Sequence, residues 1–434
     1  MQKGRWRKSA MAMILAAAVA LAMMPMAAMA SPETGATVYL NTTAGSDSND
    51  GQSAAQAVKT LDKALELAGK GGTVLLGATV SVSADKVLAD VTIGRAEGFT
   101  GTMLSVSKAT LTLQNATIDG TGGGGQGKYL VTVNTGATLN IGTGAMLQNN
   151  GGTAVSVVNG TLQMTGGTIA HNQSEEDGGA IYMWSSKATL SGGVIEDNTT
   201  DRCGGGICVL GDSEITLSGV TIRDNTAYMD GGGVYIEANY QGTGKSKFTM
   251  TGGAVTGNQT PGGYAGVCVM DSACPVEVTM TGGTISNNIN QDDEDNSFVL
   301  GSYQEGLTYP VLKVSGSPNI TGEIRLWDEG DLGASIEVTG AFDPVNPLLI
   351  SDMYGTEGRA VVRYAQGVTP DVTDFGTTFS STGLKVNGQN IEWIDLFRVR
   401  FYNALTGKQM GTVYAYPNEP LDQSKIPAST PLTG

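Results

Sequence analysis

Histidine is almost missing: His171 is the only one in 434 residues. There are four cysteines and thirteen prolines, aromatics make up 6%, charged residues make up 15%, and 25 Lys and Arg face 41 Asp and Glu. Each shortage excludes something. One histidine with cysteines at C-x4-C (Cys203, Cys208) and C-x5-C (Cys268, Cys274) is no zinc ligand set, which uses tighter pairs and more imidazole. Four cysteines in so long a chain are not a disulfide scaffold. Any bridge would join Cys203 to Cys208 or Cys268 to Cys274, because Cys208 and Cys268 fall two repeats apart, too far to bond. The low charge content rules out a long coiled coil. A net charge of −16 repels nucleic acid and anionic lipid, so neither is a default partner.

The first thirty residues are an address. Lys3, Arg5, Arg7 and Lys8 precede an apolar run from Met11 to Met24, and Ala28-Met29-Ala30 is a small-x-small cleavage signal. Residues 1–30 therefore read as a secretory signal peptide, whose removal leaves a net charge of −20. No later run approaches the ~20 apolar residues of a membrane span, so membrane insertion is not expected.

What is abundant is glycine, 63 residues without the three-residue period of collagen, among recurring Val, Ile, Leu and Thr. A repeat organises them. Met164-Thr-Gly-Gly-Thr-Ile169, Leu190-Ser-Gly-Gly-Val-Ile195, Leu217-Ser-Gly-Val-Thr-Ile222, Met250-Thr-Gly-Gly-Ala-Val255 and Met280-Thr-Gly-Gly-Thr-Ile285 are one motif. A second interleaves with it: Gly178-Gly-Ala-Ile181, Gly204-Gly-Gly-Ile207, Gly231-Gly-Gly-Val234 and Tyr264-Ala-Gly-Val267. Short β-branched strands separated by glycine turns, with no helical period between them, make an all-β chain. An asparagine stands three residues after the last aliphatic of the first motif in all five copies, Asn172, Asn198, Asn225, Asn258 and Asn288, and Asn150 holds the same offset after Leu147. Asparagine tolerates the left-handed turn conformation. Stacked at about 4.8 Å, such amides bond one another as a structural ladder. The expectation is a single-stranded parallel β-helix, a solenoid whose coils bury their aliphatics only against the next coil. Insertions at residues 239–246 and 290–297 lengthen two coils, and Asp292, Asp293, Glu294 and Asp295 read as a solvated acidic loop.

Three resemblances follow. Thr37-Val-Tyr-Leu40, Gly45-Ser-Asp-Ser-Asn-Asp-Gly51 and Thr60-Leu-Asp-Lys-Ala-Leu-Glu-Leu-Ala68 resemble the N-terminal cap of the pectate-lyase-like right-handed parallel β-helix superfamily. There a short helix plugs the first coil, here with Leu61, Ala64, Leu65 and Ala68 as its apolar stripe. The Gly-Gly-x-Ile repeats resemble polymorphic-outer-membrane-protein-type passenger domains. Val399-Arg-Phe-Tyr-Asn-Ala-Leu-Thr-Gly407 is similar to the start of the internalin-type B repeat, a β-grasp module of Gram-positive surface proteins, truncated here before its usual signature. The implied organisation is a signal peptide at 1–30, an N-terminal cap at 31–72, a parallel β-helix at 73–395 and a partial B-repeat-like β-grasp module at 396–434.

The column before the ladder reads Asn149, His171, Asp197, Asp224, Gly257 and Asn287. Asp197 and Asp224 on adjacent coils, with His171 one coil away, have the spacing of a glycosidase carboxylate pair. Acidic residues are also ordinary turn formers, and that is the competing reading. Glu196 falls beside Arg223, and a further column holds Asp177, Cys203 and Asp230 with Arg202 close by. Tyr182, Cys208, Tyr235 and Cys268 share one strand column, with Trp184 at its edge. If outward, Tyr182, Trp184 and Tyr235 form an aromatic strip for sugar rings; if inward, they are core. Asp47, Asn49 and Asp50 cluster hard oxygens that suit Ca2+, or make an Asx-rich turn. The expectation is a secreted, extracellular or cell-wall-associated bacterial surface protein with an adhesive or glycan-binding face for a glycan or cell-surface receptor. The alternative is a polysaccharide lyase or glycoside hydrolase on the same scaffold.

Overall fold

The computed structural model describes residues 35–125, 127–238, 246–264, 266–271, 276–290, 295, 297–302, 309–329, 332–352, 357–378, 382–402, 408–416, 420, 424, 426 and 427. The expected signal peptide, most of the two long insertions, Asp292, Asp293, Glu294 and Cys274 lie outside the described residues. Among the described residues no helix is long and apolar enough to cross a membrane.

The chain is a parallel β-solenoid. A twelve-stranded, wholly parallel sheet runs its length, here called the broad sheet. A twenty-two-stranded sheet takes two strand segments from most coils, and a five-stranded sheet of two-residue strands closes the central ones. One coil shows the plan: Ile207–Leu210 in the broad sheet, then Glu214–Leu217, Thr221–Arg223, and Thr226–Ala227 in the small sheet. Alternation along each strand sends Ile207, Val209, Ile215, Leu217 and Ile222 inward, all fully or almost fully buried. They stack in register on Ile181, Met183, Ala188, Leu190 and Ile195 of the coil below. Each such aliphatic contributes about 1.5–3 kcal/mol when removed from water, and only a neighbouring coil can cover it.

At the N-terminal end the expected helix is present. Leu61–Ala68 starts at Thr60, whose side chain accepts from Lys63 N, and ends at Gly69. It lays Leu61, Ala64 and Ala68 on the core, with Leu65 half-buried against it. At the other end parallel stacking continues in the broad sheet through Phe375–Thr377, and in the twenty-two-stranded sheet through Ala360–Tyr364. It stops where Asn390–Asp395 pairs antiparallel with that strand and with Thr382–Asn387, burying Trp393. Phe397–Tyr402 and Gln409–Ala415 form a separate antiparallel hairpin.

The six ladder asparagines are all buried. From Asn172 to Asn258, each donates its backbone N–H and its Nδ2 to the Oδ1 of the next asparagine, at 2.8–3.1 Å. Nδ2 also reaches a carbonyl two residues back and one in the preceding coil, as Asn198 does to Glu196 O and Ile169 O. The left-handed residue is not the asparagine, as the sequence reading had it, but the one before. Asn149, His171, Asp197, Asp224, Gly257 and Asn287 have φ between 53° and 68°. That residue swings the chain round the corner and strands the carbonyls that the amide then satisfies.

Both ends of the ladder are closed by charge. Asn150 Oδ1 accepts from Arg95 Nη2 at 2.7 Å. The Arg95 guanidinium also donates to Gly120 O and Gly101 O and lies 5.7 Å from the Phe99 ring centroid. Burial lowers its pKa to about 10, so it stays charged at neutral pH. At the far end Asp295 accepts from Asn288 N and Ser297 on Oδ1, and from Asn287 N and Thr321 on Oδ2. Asp295 is therefore a built-in acceptor, not part of a solvated acidic loop.

Replacing Asn198 by Ala removes the acceptor for Asn172 and leaves two carbonyls without donors. Denaturant unfolding should show a loss of ~2–4 kcal/mol. Asp295→Asn should cost less but clearly, since an amide presents donors toward groups that already donate.

Candidate functional site

The carboxylates singled out by spacing sit on the corner just described. Asp197 and Asp224 are exposed left-handed turn residues on adjacent coils, and His171 is exposed one coil earlier. Arg223 bridges Glu196 of the coil below and the neighbouring Asp224, the latter at 3.3 Å. Asn, Asp and His are the non-glycine residues most often found at positive φ. Conformation alone therefore accounts for the residue types of this column. Asp177 and Asp230 also fasten coils together, accepting from Cys203 N and Tyr264 N at 3.2 Å. Arg202 pairs with Asp177 at 3.4 Å.

In the N-terminal cap, Asp47 Oδ1 accepts from Lys59 N and Thr60 N, which holds its carboxyl below the usual carboxylate range. Asn49 donates to Ala57 O, and Asp50 closes an Asx turn on Gln52 N. These bonds tie the loop to the start of the helix. Among the described residues no group of three His, Cys, Asp or Glu could hold a metal ion.

The outer face of the broad sheet is chemically richer. Tyr182 and Trp184 alternate with the core residues Ile181 and Met183, so both point outward. Tyr182 pairs in register with Cys208, then Tyr235, then Cys268. This column is outward yet not uniformly open. Cys208, Tyr235, Cys268, Met270 and Val299 form a second buried cluster outside the main core, with Tyr182, Leu210, Tyr264 and Trp327 packed against it. Tyr235 is 4% exposed whereas Trp184 is 37% exposed. The expected strip is thus divided: Tyr182 and Trp184 reach solvent, and Tyr235 is the floor between them and the next aromatics. Those are Tyr264 and Trp327, in edge contact at 6.0 Å, with Arg325 5.4 Å from the Tyr264 ring centroid and paired to Glu323 at 2.7 Å. Sequence reasoning missed Tyr264, Trp327 and Arg325 because they lie at coil corners or beyond the regular repeats.

Glu237 was also missed. It stands in the Trp184 column two coils on, through Leu210. It is half-buried and accepts from the Tyr235 hydroxyl at 2.9 Å. Burial, and then the nearby Asp177 charge, raise its pKa, while the Tyr235 bond partly offsets them.

Cys203, Cys208 and Cys268 are free thiols, so the bridge considered between Cys203 and Cys208 is not formed. Burial pushes the Cys203 thiol up to about 12 and the other two well above the usual range, which keeps them unreactive. Asp271, at the end of the broad-sheet strand Val267–Asp271, is 1% exposed. Its Oδ1 accepts from Val276 N at 2.8 Å and its Oδ2 has no partner among the described residues. Burial raises this carboxyl to about 7.

A family model described as a right handed beta helix region matches residues 140–297, the span that carries the ladder up to Asn288. No curated protein and no solved structure matches the chain.

Two outcomes follow from this geometry. Asp197→Gly should leave stability within ~0.5 kcal/mol of the parent, as Gly257 already fills that column, whereas Asp197→Ala should cost ~1 kcal/mol from its positive φ. Asp271 binds a proton more tightly folded than unfolded, so its contribution is full at low pH and is lost as pH rises from about 4 to about 7. The slope approaches ~1.4 kcal/mol per pH unit. Urea melts across that range should show the decline, and Asp271→Asn should flatten it.

Proposed function

We propose that this chain is an exported bacterial surface protein whose broad sheet presents a glycan-binding, adhesive outer face. The observation that carries this reading is the placement of Tyr182 and Trp184 side by side on that face, with the Trp184 indole partly open to solvent. Indole and phenol rings offer the apolar, polarisable surface on which the C–H faces of pyranose rings stack. The basic, apolar and small-x-small segments of residues 1–30 support export. Phe397–Tyr402 and Gln409–Ala415 pair antiparallel, and the resemblance of residues 399–407 to the start of the internalin-type B repeat supports association with a cell wall. The strongly acidic composition favours neutral or cationic polymers over polyuronates.

The test incubates residues 31–434, with Ca2+ present, with a panel of plant, microbial and host polysaccharides, and measures both retention and product release. Retention by at least one polymer is expected, weakened about tenfold or more in Trp184→Ala with unfolding unchanged. New reducing ends or unsaturated products, lost in the Asp197→Asn/Asp224→Asn double variant, would replace this reading with an enzyme acting through that column.

A further inference from the structure

We propose that Trp184, Leu210 and Glu237, with Tyr182 and Asp177 beside them, form a subsite for a glycan that carries a free amino group. This rests on the glycan-binding reading and adds the chemistry of the sugar. Trp184 and Glu237 occupy one outward column on strands two apart, about 10 Å along the solenoid axis. A ring stacked on Trp184 therefore places the substituents of a neighbouring sugar over Leu210 and at Glu237.

The carboxylate there is unusually provided for. Glu237 Oε2 accepts from Tyr235, whose own burial fixes it in place. Glu237 Oε1 has no hydrogen-bond partner among the described residues, and no Lys or Arg there pairs with Glu237. The titratable groups that act on it are Tyr235 on its own strand and Asp177 from the turn before Ile181–Trp184, with the Cys208 and Cys268 thiols on the flanking strands. None of these is a cation. Arg202, the basic side chain that acts on Cys208, is engaged with Asp177.

A half-buried carboxylate with one oxygen held and no counter-charge among the described residues is costly until a cation arrives. An ammonium group supplies both the charge and a donor for Oε1, in a charge-assisted hydrogen bond. A neutral N-acetyl group supplies only a weaker donor, and a uronate has the wrong sign.

The experiment measures binding of glucosamine hexamer and N-acetylglucosamine hexamer to residues 31–434, at low and physiological salt. Parallel titrations use Glu237→Gln, Trp184→Ala and Glu97→Gln, the last removing one exposed charge elsewhere. The amine form should bind about tenfold tighter. Glu237→Gln, which keeps the acceptor for Tyr235, should abolish that preference without lowering the melting temperature. Trp184→Ala should weaken both ligands, and Glu97→Gln should change neither. Equal loss in Glu97→Gln and Glu237→Gln would mean diffuse attraction to an acidic protein and overturn the subsite. Equal binding of the two hexamers, unaffected by Glu237→Gln but lost in Trp184→Ala, would overturn it too, while leaving the glycan-binding reading intact. No binding of these hexamers or of any polymer in the panel would remove both.

Discussion

Six buried asparagines, linked from coil to coil by hydrogen bonds to their Oδ1 atoms, are the constraint around which the central solenoid is arranged. A chain that turns a corner every few residues strands carbonyls that no strand partner can reach. Along the corner from Asn172 to Asn288 those groups are served by Nδ2, while Oδ1 of Asn198, Asn225, Asn258 and Asn288 each takes two donors from the coil before it. Because neighbouring amides polarise one another, the row resists the loss of any one member more than an isolated pair would. The aliphatic core supplies most of the free energy, but it is indifferent to register beyond inside and outside. The amides fix which residue lies above which. That is why Tyr182, Cys208, Tyr235 and Cys268 fall in line on the broad sheet.

The outer face of the broad sheet shows what a solenoid does with sequence. A residue's neighbours on its face are those one coil away, some 23–34 positions distant in the chain, so a site is spelled along columns. Trp184, Leu210 and Glu237 are unremarkable one by one. Together they place an open indole, an aliphatic step and a held carboxylate along one line parallel to the axis. Beside that line Tyr235 is buried for a reason: it closes the second apolar cluster and fixes the carboxylate.

Much of this was written in the repeats. The aliphatic positions, the ladder asparagines and the cap helix each answer to a local demand, namely burial, a satisfied corner or an N-cap, and so repeat visibly. Other features have no such period. The left-handed residue was misassigned by one position, because asparagine suits both a positive φ and a ladder. Only the mixture His171, Asp197, Asp224 and Gly257 betrays the conformational column. Arg95 meets Asn150 across 55 residues from a coil that lacks the motif, and Asp295 sits in what looks like an ordinary acidic insertion. Glu237 reads as one more outward polar residue until its neighbours are known.

The ladder has a direction. Every Oδ1 accepts from the preceding coil and every ladder backbone N–H donates to the following one, so one end presents an acceptor and the other a donor. Arg95 and Asp295 match those ends as cation and anion. Coils are therefore interchangeable only between them. A copy of one coil inserted between Asn172 and Asn258 would find the same bonds above and below, whereas a copy added past Asp295 would meet a carboxylate already committed to Asn287, Asn288, Ser297 and Thr321. The molecule can lengthen from its middle, by internal duplication, far more readily than from either end.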